Sequence, residues 1–291
     1  MATTINSHDT PVLDSWITTT RSGAESGRAL VFLHGNPASS TIWQHVVAAL
    51  PDRRVLAPDL IGMGASGKPD VAYSLDDHAR YLDAWFDAED LDDVVLIGHD
   101  WGGALAVDWA RRHPDRVAGI AVMEAVLRSI PLESISPQAI ARTQMIRSGE
   151  GERFVLDTDQ FIRTAFTAGV MNAVDAGRLA TYLAPFPTPA SRRPILAWAR
   201  QLPVGGEPRA VVERLQAAHG YLAASTETPK LLIRFHGSPT LVIGDDTEQW
   251  CRDTFASLDV ADGGASGHHA PEDRPDAVAH HLSEWFGRRG V

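Results

Sequence analysis

From Ala29 onward, short apolar runs alternate with longer amphipathic stretches, and this alternation constrains the chain more than any other feature of it. A short run with no polar residue reads as a strand buried on both faces, an environment that a parallel sheet covered by crossover helices provides. Ala29-Leu30-Val31-Phe32-Leu33 is the first such run, stopped by His34-Gly35-Asn36-Pro37. Val55-Leu56-Ala57 follows, and the segment from Pro58 to Gly67 is too glycine-rich to be anything but loop. Ser74 or Asp76 can cap a helix through about Asp87, with Leu75, Ala79, Leu82 and Phe86 on its inner face. Val94–Ile97 then reads as a fully buried central strand, Gly98–Gly103 turns the chain, and a helix resumes from Ala104 to Arg112 until His113-Pro114 stops it. Val117 to Met123 is the next strand.

Between about Ile130 and Val211 the alternation fails. Helical stretches stand around Gln138–Arg147 and Gln160–Met171, no strand is convincing, and prolines at 185, 187, 189 and 194 punctuate the rest. Strand character returns at Lys230–Phe235, followed by a helix near Thr247–Ala256, a weak strand at Leu258-Asp259-Val260 and a last helix from about Asp273 to Phe286. The pattern predicts one α/β core, residues 1–129 and 212–291, interrupted by a helical cap over 130–211. A length of 291 residues suits one such unit.

Aspartate and glutamate number 37 against 26 lysines and arginines, a formal charge of −11 with the basic residues scattered, which argues against nucleic acid as a partner. The single cysteine, Cys251, cannot form an internal disulfide and reads as a small semi-buried side chain. The first residues, Met1 to His8, show neither a basic nor an apolar leader region, and no apolar run approaches the length that spans a bilayer. The expected location is the cytoplasm, with no membrane partner.

The chemistry concentrates after the Val94–Ile97 strand. A short apolar strand running into Gly98-x-Asp100-x-Gly102 and then a helix is the context of a nucleophile elbow, with aspartate at its apex. Small residues at 98, 102 and 103 permit the sharp turn and close helix packing. Aspartate at this place is informative. A serine that displaced a leaving group from an sp3 carbon would become an ether, which water does not open, whereas a carboxylate becomes an ester, which activated water does. The nucleophile therefore points to alkyl transfer, from a carbon–halogen bond or an epoxide.

A histidine base is expected late in the chain. His268, in Gly267-His268-His269-Ala270-Pro271-Glu272-Asp273, is the best placed of 12 histidines, with His269 as local competitor and packing roles for the others. Its far nitrogen wants a carboxylate. Glu124 ends the Val117–Met123 run, where an unpaired carboxylate would be costly, and Asp245 or Asp246 beyond Lys230–Phe235 are the alternatives. Trp101 offers an indole N–H suited to a soft anion in a dry pocket. Asn36 can aim its side-chain amide at the same place, while its backbone N–H joins that of Trp101 as an oxyanion hole.

At these residues the chain resembles the haloalkane dehalogenases. His34-Gly35-Asn36-Pro37-Ala38-Ser39-Ser40, Asp59-Leu60-Ile61-Gly62-Met63-Gly64, Gly98-His99-Asp100-Trp101-Gly102-Gly103 and Met123-Glu124-Ala125 carry the likeness, which runs from about Leu30 to Phe286. The resemblance implies an α/β-hydrolase fold: a mostly parallel sheet, helices on both faces and an inserted helical cap. It also implies a nucleophile at Asp100, a base at His268, an acid at Glu124 and halide ligands at Asn36 and Trp101. The glutamate after Met123 is similar to one subgroup, while in another the acid follows the next core strand, near Asp245 and Asp246. Pro271 stands where the family usually has glutamine. The implied partners are a small halogenated alkane, water and halide, with no metal or organic cofactor.

Competing readings share the scaffold. An epoxide hydrolase needs acidic hydroxyls, usually two cap tyrosines, and the cap offers Tyr182 with Tyr221 just beyond. A fluoroacetate dehalogenase needs arginines beside the nucleophile, where Trp101 and Gly102 stand. Coelenterazine-oxidising luciferases of the Renilla type resemble the same family. A non-catalytic binding module would have no reason to keep nucleophile, base, acid and two anion donors together.

Overall fold

The computed structural model of the protein describes residues 6–291. Met1–Ile5, part of the start on which the expectation of no leader rests, lies outside them. Eight strands form one sheet: β1 (Asn6–Val12), β2 (Ser15–Gly23), β3 (Ala29–Leu33), β4 (Arg54–Pro58), β5 (Val94–His99), β6 (Val117–Met123), β7 (Lys230–His236) and β8 (Leu258–Ala265). Their order across the sheet is β1-β2-β4-β3-β5-β6-β7-β8. The pairs β1/β2 and β2/β4 are antiparallel, and every other pair is parallel. β3 and β5, at the centre, are buried along their whole length, which is why they read as uninterrupted apolar runs.

Two strands escaped the sequence reading. β1 and β2 form a hairpin whose turn places Leu13 at a φ of 49°, and β1 is mostly exposed, so polar residues interrupt any apolar signal. β8, expected at Leu258–Val260, continues to Ala265. As the sheet's far edge it is half-exposed, so Asp259, Asp262 and Gly263 are tolerated in it and hid its length.

The helix after β4 spans Leu75–Ala88 and begins with the expected Ser74, whose side chain accepts the Asp77 N–H while the Asp77 carboxylate accepts the Ser74 N–H. Leu75, Ala79, Leu82 and Phe86 are all buried. The segment after β6 is helical: Pro137–Arg147, Gly149–Leu156, Gln160–Ala168, Ala176–Leu183 and Arg193–Gln201. A sixth helix, Arg209–Ala224, contains the expected boundary at 211. Its Arg214 donates to the buried Asp108 of helix Trp101–Arg112 at 2.6 Å. Asp245–Thr254, Ala270–Asp273 and Pro275–Arg289 complete the C-terminal part. Among the described residues no helix is long and apolar enough to cross a membrane.

Candidate active site

The elbow turns within one residue. β5 ends at His99, Asp100 takes φ 52° and ψ −123°, and helix Trp101–Arg112 begins at the next residue rather than at Ala104. This conformation is costly for a residue with a Cβ and persists only where surrounding packing enforces it. The packing is close: a Cβ on Gly98 would lie 2.5 Å from the Gly103 Cα, and one on Gly102 would lie 2.1 Å from the Leu33 carbonyl oxygen. Only hydrogen fits at either place.

Sheet register brings the other groups to the same edge. His99 pairs with Met123 across β5 and β6, so Asp100 and Glu124 leave adjacent parallel strands at the same level. Asn36 follows β3, and His268 follows β8. One carboxylate oxygen of Asp100, Oδ2, accepts the backbone N–H of Asn36 at 2.8 Å. The Trp101 backbone N–H also favours the ionised carboxylate. Oδ1 stands 3.8 Å from His268 Nε2. Burial raises the Asp100 pKa from its ordinary value, opposed by His268 and these two backbone donors.

Of the candidate acids, Glu124 stands on the far side of the imidazole. His268 Nδ1 lies 3.4 Å from Glu124 Oε2, and Glu124 is fully buried. The Val242 N–H donates to the same oxygen at 2.7 Å. Asp245 and Asp246 instead open the exposed end of helix Asp245–Thr254, where Asp245 lies 3.2 Å from Arg234. His269 is buried against the Phe166 ring at 4.7 Å, and burial followed by the nearby His268 and His99 pulls its pKa well below the ordinary imidazole value. His268 behaves oppositely: burial pulls its pKa down, but the hydrogen bond to Glu124 and the charges of Asp100 and Glu124 outweigh it, and the net shift is upward.

Asp100, Trp101, Asn36 and His268 all line one cavity of about 600 Å3. The Trp101 ring stacks on Trp198 of helix Arg193–Gln201, centroids 4.5 Å apart. Asn36 turns one amide N–H to the Ile195 carbonyl of that helix at 3.2 Å. Sequence reasoning missed Trp198. Its helix is amphipathic, but nothing local says which core residue its buried face meets. His99, read as a packing histidine, donates Nε2–H to the His268 carbonyl at 2.8 Å. Of the cap side chains, Phe161 lines the cavity, while Phe166 packs between Tyr182 and His269 and Leu179 packs on the core. Tyr182 is buried and donates to Glu272, and neither it nor Tyr221 lines the cavity, so neither is placed as an epoxide acid.

The family model for the alpha/beta hydrolase fold matches residues 28–257. A haloalkane dehalogenase of Agrobacterium fabrum is 41% identical over 283 residues, covering 97% of this chain and 91% of that protein. The coelenterazine h 2-monooxygenase of Renilla reniformis is 34% identical over 284 residues, covering 95% and 89%. Among solved structures, haloalkane dehalogenase DatA from Agrobacterium tumefaciens superposes with a TM-score of 0.93 at 40% identity, covering 98% of this chain and 97% of that one. DbeA from Bradyrhizobium elkani, also a haloalkane dehalogenase, gives 0.93 at 36% identity with 99% of each chain covered. With an aspartate at the elbow and these relatives matched over nearly its whole length, the chain belongs to the haloalkane dehalogenase family of the α/β-hydrolase fold.

Proposed function

We propose that this protein hydrolyses haloalkanes to alcohol and halide through an alkyl ester on Asp100. The observation that carries the reading is the unequal surroundings of the two Asp100 oxygens. Oδ2 is held by the backbone N–H of Asn36, while Oδ1 faces the imidazole. In the first step Oδ1 attacks the halogen-bearing carbon in line, the carbon–halogen bond breaks with its electron pair leaving on the halide, and the Trp101 indole and Asn36 amide stabilise that charge. In the second, neutral His268 takes a proton from water, and the resulting hydroxide adds to the ester carbonyl carbon. Negative charge then develops on Oδ2, which the Asn36 backbone N–H already holds, and the Trp101 backbone N–H is beside the same carboxylate to share that charge. Collapse releases the alcohol and regenerates the carboxylate, while Glu124 stabilises the imidazolium. The segment from about 130 to 211 acts as the cap that closes the cavity.

The test separates the two steps. His268→Phe should form the ester and fail to open it, releasing one halide per active site, with the alkyl mass found on Asp100 by peptide mass spectrometry. In wild-type protein, a single turnover in heavy-oxygen water should give alcohol with ordinary oxygen, because water attacks the carboxylate carbon. Label in that first alcohol would mean direct displacement by water. Light emission on adding coelenterazine, without halide release from any bromoalkane, would favour the activity named for the Renilla relative.

A further inference from the structure

The loop carrying His268 is fastened to the cap by two adjacent carboxylates that the chemistry above does not use. Asp273 is buried, and one of its oxygens accepts the backbone N–H of Gly267 at 2.7 Å, the residue before the base. That oxygen also accepts the Met171 N–H, and the other accepts the Asn172 N–H, both at 2.6 Å and both from the cap segment after helix Gln160–Ala168. The Ser266 hydroxyl lies 3.3 Å away. Its neighbour Glu272, also largely buried, pairs with Arg178 of cap helix Ala176–Leu183, Nε and Nη2 donating at 2.7 and 2.6 Å, and accepts the Tyr182 hydroxyl. Arg178 reaches on to the Thr41 carbonyl at 2.8 Å. Between the two carboxylates, the His269 N–H donates to the Gly169 carbonyl at 2.8 Å and its ring packs on Phe166.

We infer that Glu272 and Asp273 are positioning residues that make the seating of the cap set the place of His268, and so govern ester opening more than ester formation. The inference rests on the two-step reading above. Physically, Asp100 is fixed by the elbow and the sheet, its carboxylate held by the Asn36 and Trp101 backbone rather than by the His268 loop. His268 stands on a loop with Gly267 before it, and its own backbone has only the Thr240 hydroxyl at 3.2 Å and the His99 donor to hold it. Asp273 ties the preceding peptide, and it does so through an oxygen shared with the cap. Loosening that tie moves the base relative to the water it activates and leaves the nucleophile where it was. Misplacement of a catalytic group by about 1 Å costs on the order of 100-fold in rate.

The test is rapid-quench kinetics with intact-mass readout on a bromoalkane, comparing wild type, His268→Phe, Asp273→Asn and Glu272→Gln. Asp273→Asn keeps the shape but offers an N–H2 where an acceptor is needed. The expected result is alkylation within about twofold of wild type, ester hydrolysis slowed by about 10- to 100-fold, and alkyl-enzyme visible at steady state with kcat and KM falling together. Glu272→Gln should show the same partition more weakly. Equal slowing of both steps, or a change in neither, would overturn the inference and make the clasp a matter of stability alone. Should Asp273→Asn fail to fold, the Glu272→Gln partition decides by the same criterion. Failure of His268→Phe to accumulate any adduct would remove the two-step reading and this inference with it, whereas failure in the clasp variants alone removes only the inference.

Discussion

At the residue scale, the state of His268 sets the pH dependence. Ester opening needs the neutral imidazole, and the Glu124 hydrogen bond and the Asp100 and Glu124 charges raise its pKa above the ordinary 6.5 against the pull of burial. Once Asp100 is esterified its charge is gone, and Glu124 is left as the group that favours the imidazolium. The rate of hydrolysis should therefore fall as pH drops and the imidazole is protonated, with its acid limb at lower pH than the same imidazole would show beside ionised Asp100. Glu124→Gln removes the charge, so it should move the limb to lower pH and slow hydrolysis at neutrality. Asp245→Asn and Asp246→Asn should do neither, because both side chains are exposed and Asp245 pairs with Arg234 rather than with the ring; a pH–rate profile of each variant decides. For the leaving group, Trp101→Phe keeps the ring but loses the N–H, and Asn36→Ala loses the amide. Each should raise the barrier to carbon–halogen cleavage by about 2–4 kcal/mol. Halide titration of tryptophan fluorescence checks the same donors without chemistry, and unchanged affinity in both variants would put the halide elsewhere.

At the scale of elements, the edge of the sheet far from the hairpin is tied by a buried cation. Lys230, at the start of β7, is only 1% exposed. Its ammonium donates to the carbonyls of Ser225, Thr228 and Ala256 at 2.7, 2.8 and 2.9 Å. These carbonyls come from just past helix Arg209–Ala224, from the approach to β7, and from the turn between helix Asp245–Thr254 and β8. One side chain thus joins three chain ends, and without it three carbonyls lose their donor. Lys230→Met should destabilise the protein by about 3 kcal/mol, read as a lower urea midpoint, with kcat little changed because the site lies at the opposite ends of the strands. The sequence reading placed β7 at Lys230–Phe235 but gave its lysine no partner. A charged residue at the head of an apolar run is usually a solvated end, and here one of its three partners, the Ala256 carbonyl, comes from 26 positions away.

For the whole molecule, the cap contributes to the cavity through contacts that cross from one unit to the other. Trp198 stacks on Trp101 from one face, while His78 of helix Leu75–Ala88 stacks on Trp198 at 4.0 Å, so the cap indole is clamped between two core rings. Trp198→Leu keeps an apolar side chain but leaves Trp101 free to turn. Halide affinity should weaken by about 1 kcal/mol, the size of an aromatic pair, although no halide donor has been removed. Quenching titrations of this variant beside Trp101→Phe measure it; affinity equal to wild type would mean that the cap closes the cavity without orienting the indole.

The local sequence was enough for whatever depends on neighbours along the chain. Ser74 before an amphipathic run made a cap, five apolar residues from Ala29 made a buried strand, and glycines around Asp100 made an elbow, because each is set by backbone preference and by burial on both faces. It also favoured Glu124 over Asp245 and Asp246, since a carboxylate at the end of a buried strand needs a nearby partner, and in the fold His268 lies 3.4 Å from it. Other features were decided in three dimensions. β1, β2 and β8 lie toward the edges of the sheet, where polar residues are tolerated and the apolar signal is weak. Trp198, Asp273 and Lys230 act on partners about 97, 102 and 26 positions away, and no periodicity encodes which face meets which once the sheet has formed. Tertiary packing chose those partners, because only there do the shapes and the unpaired donors and acceptors of distant segments meet.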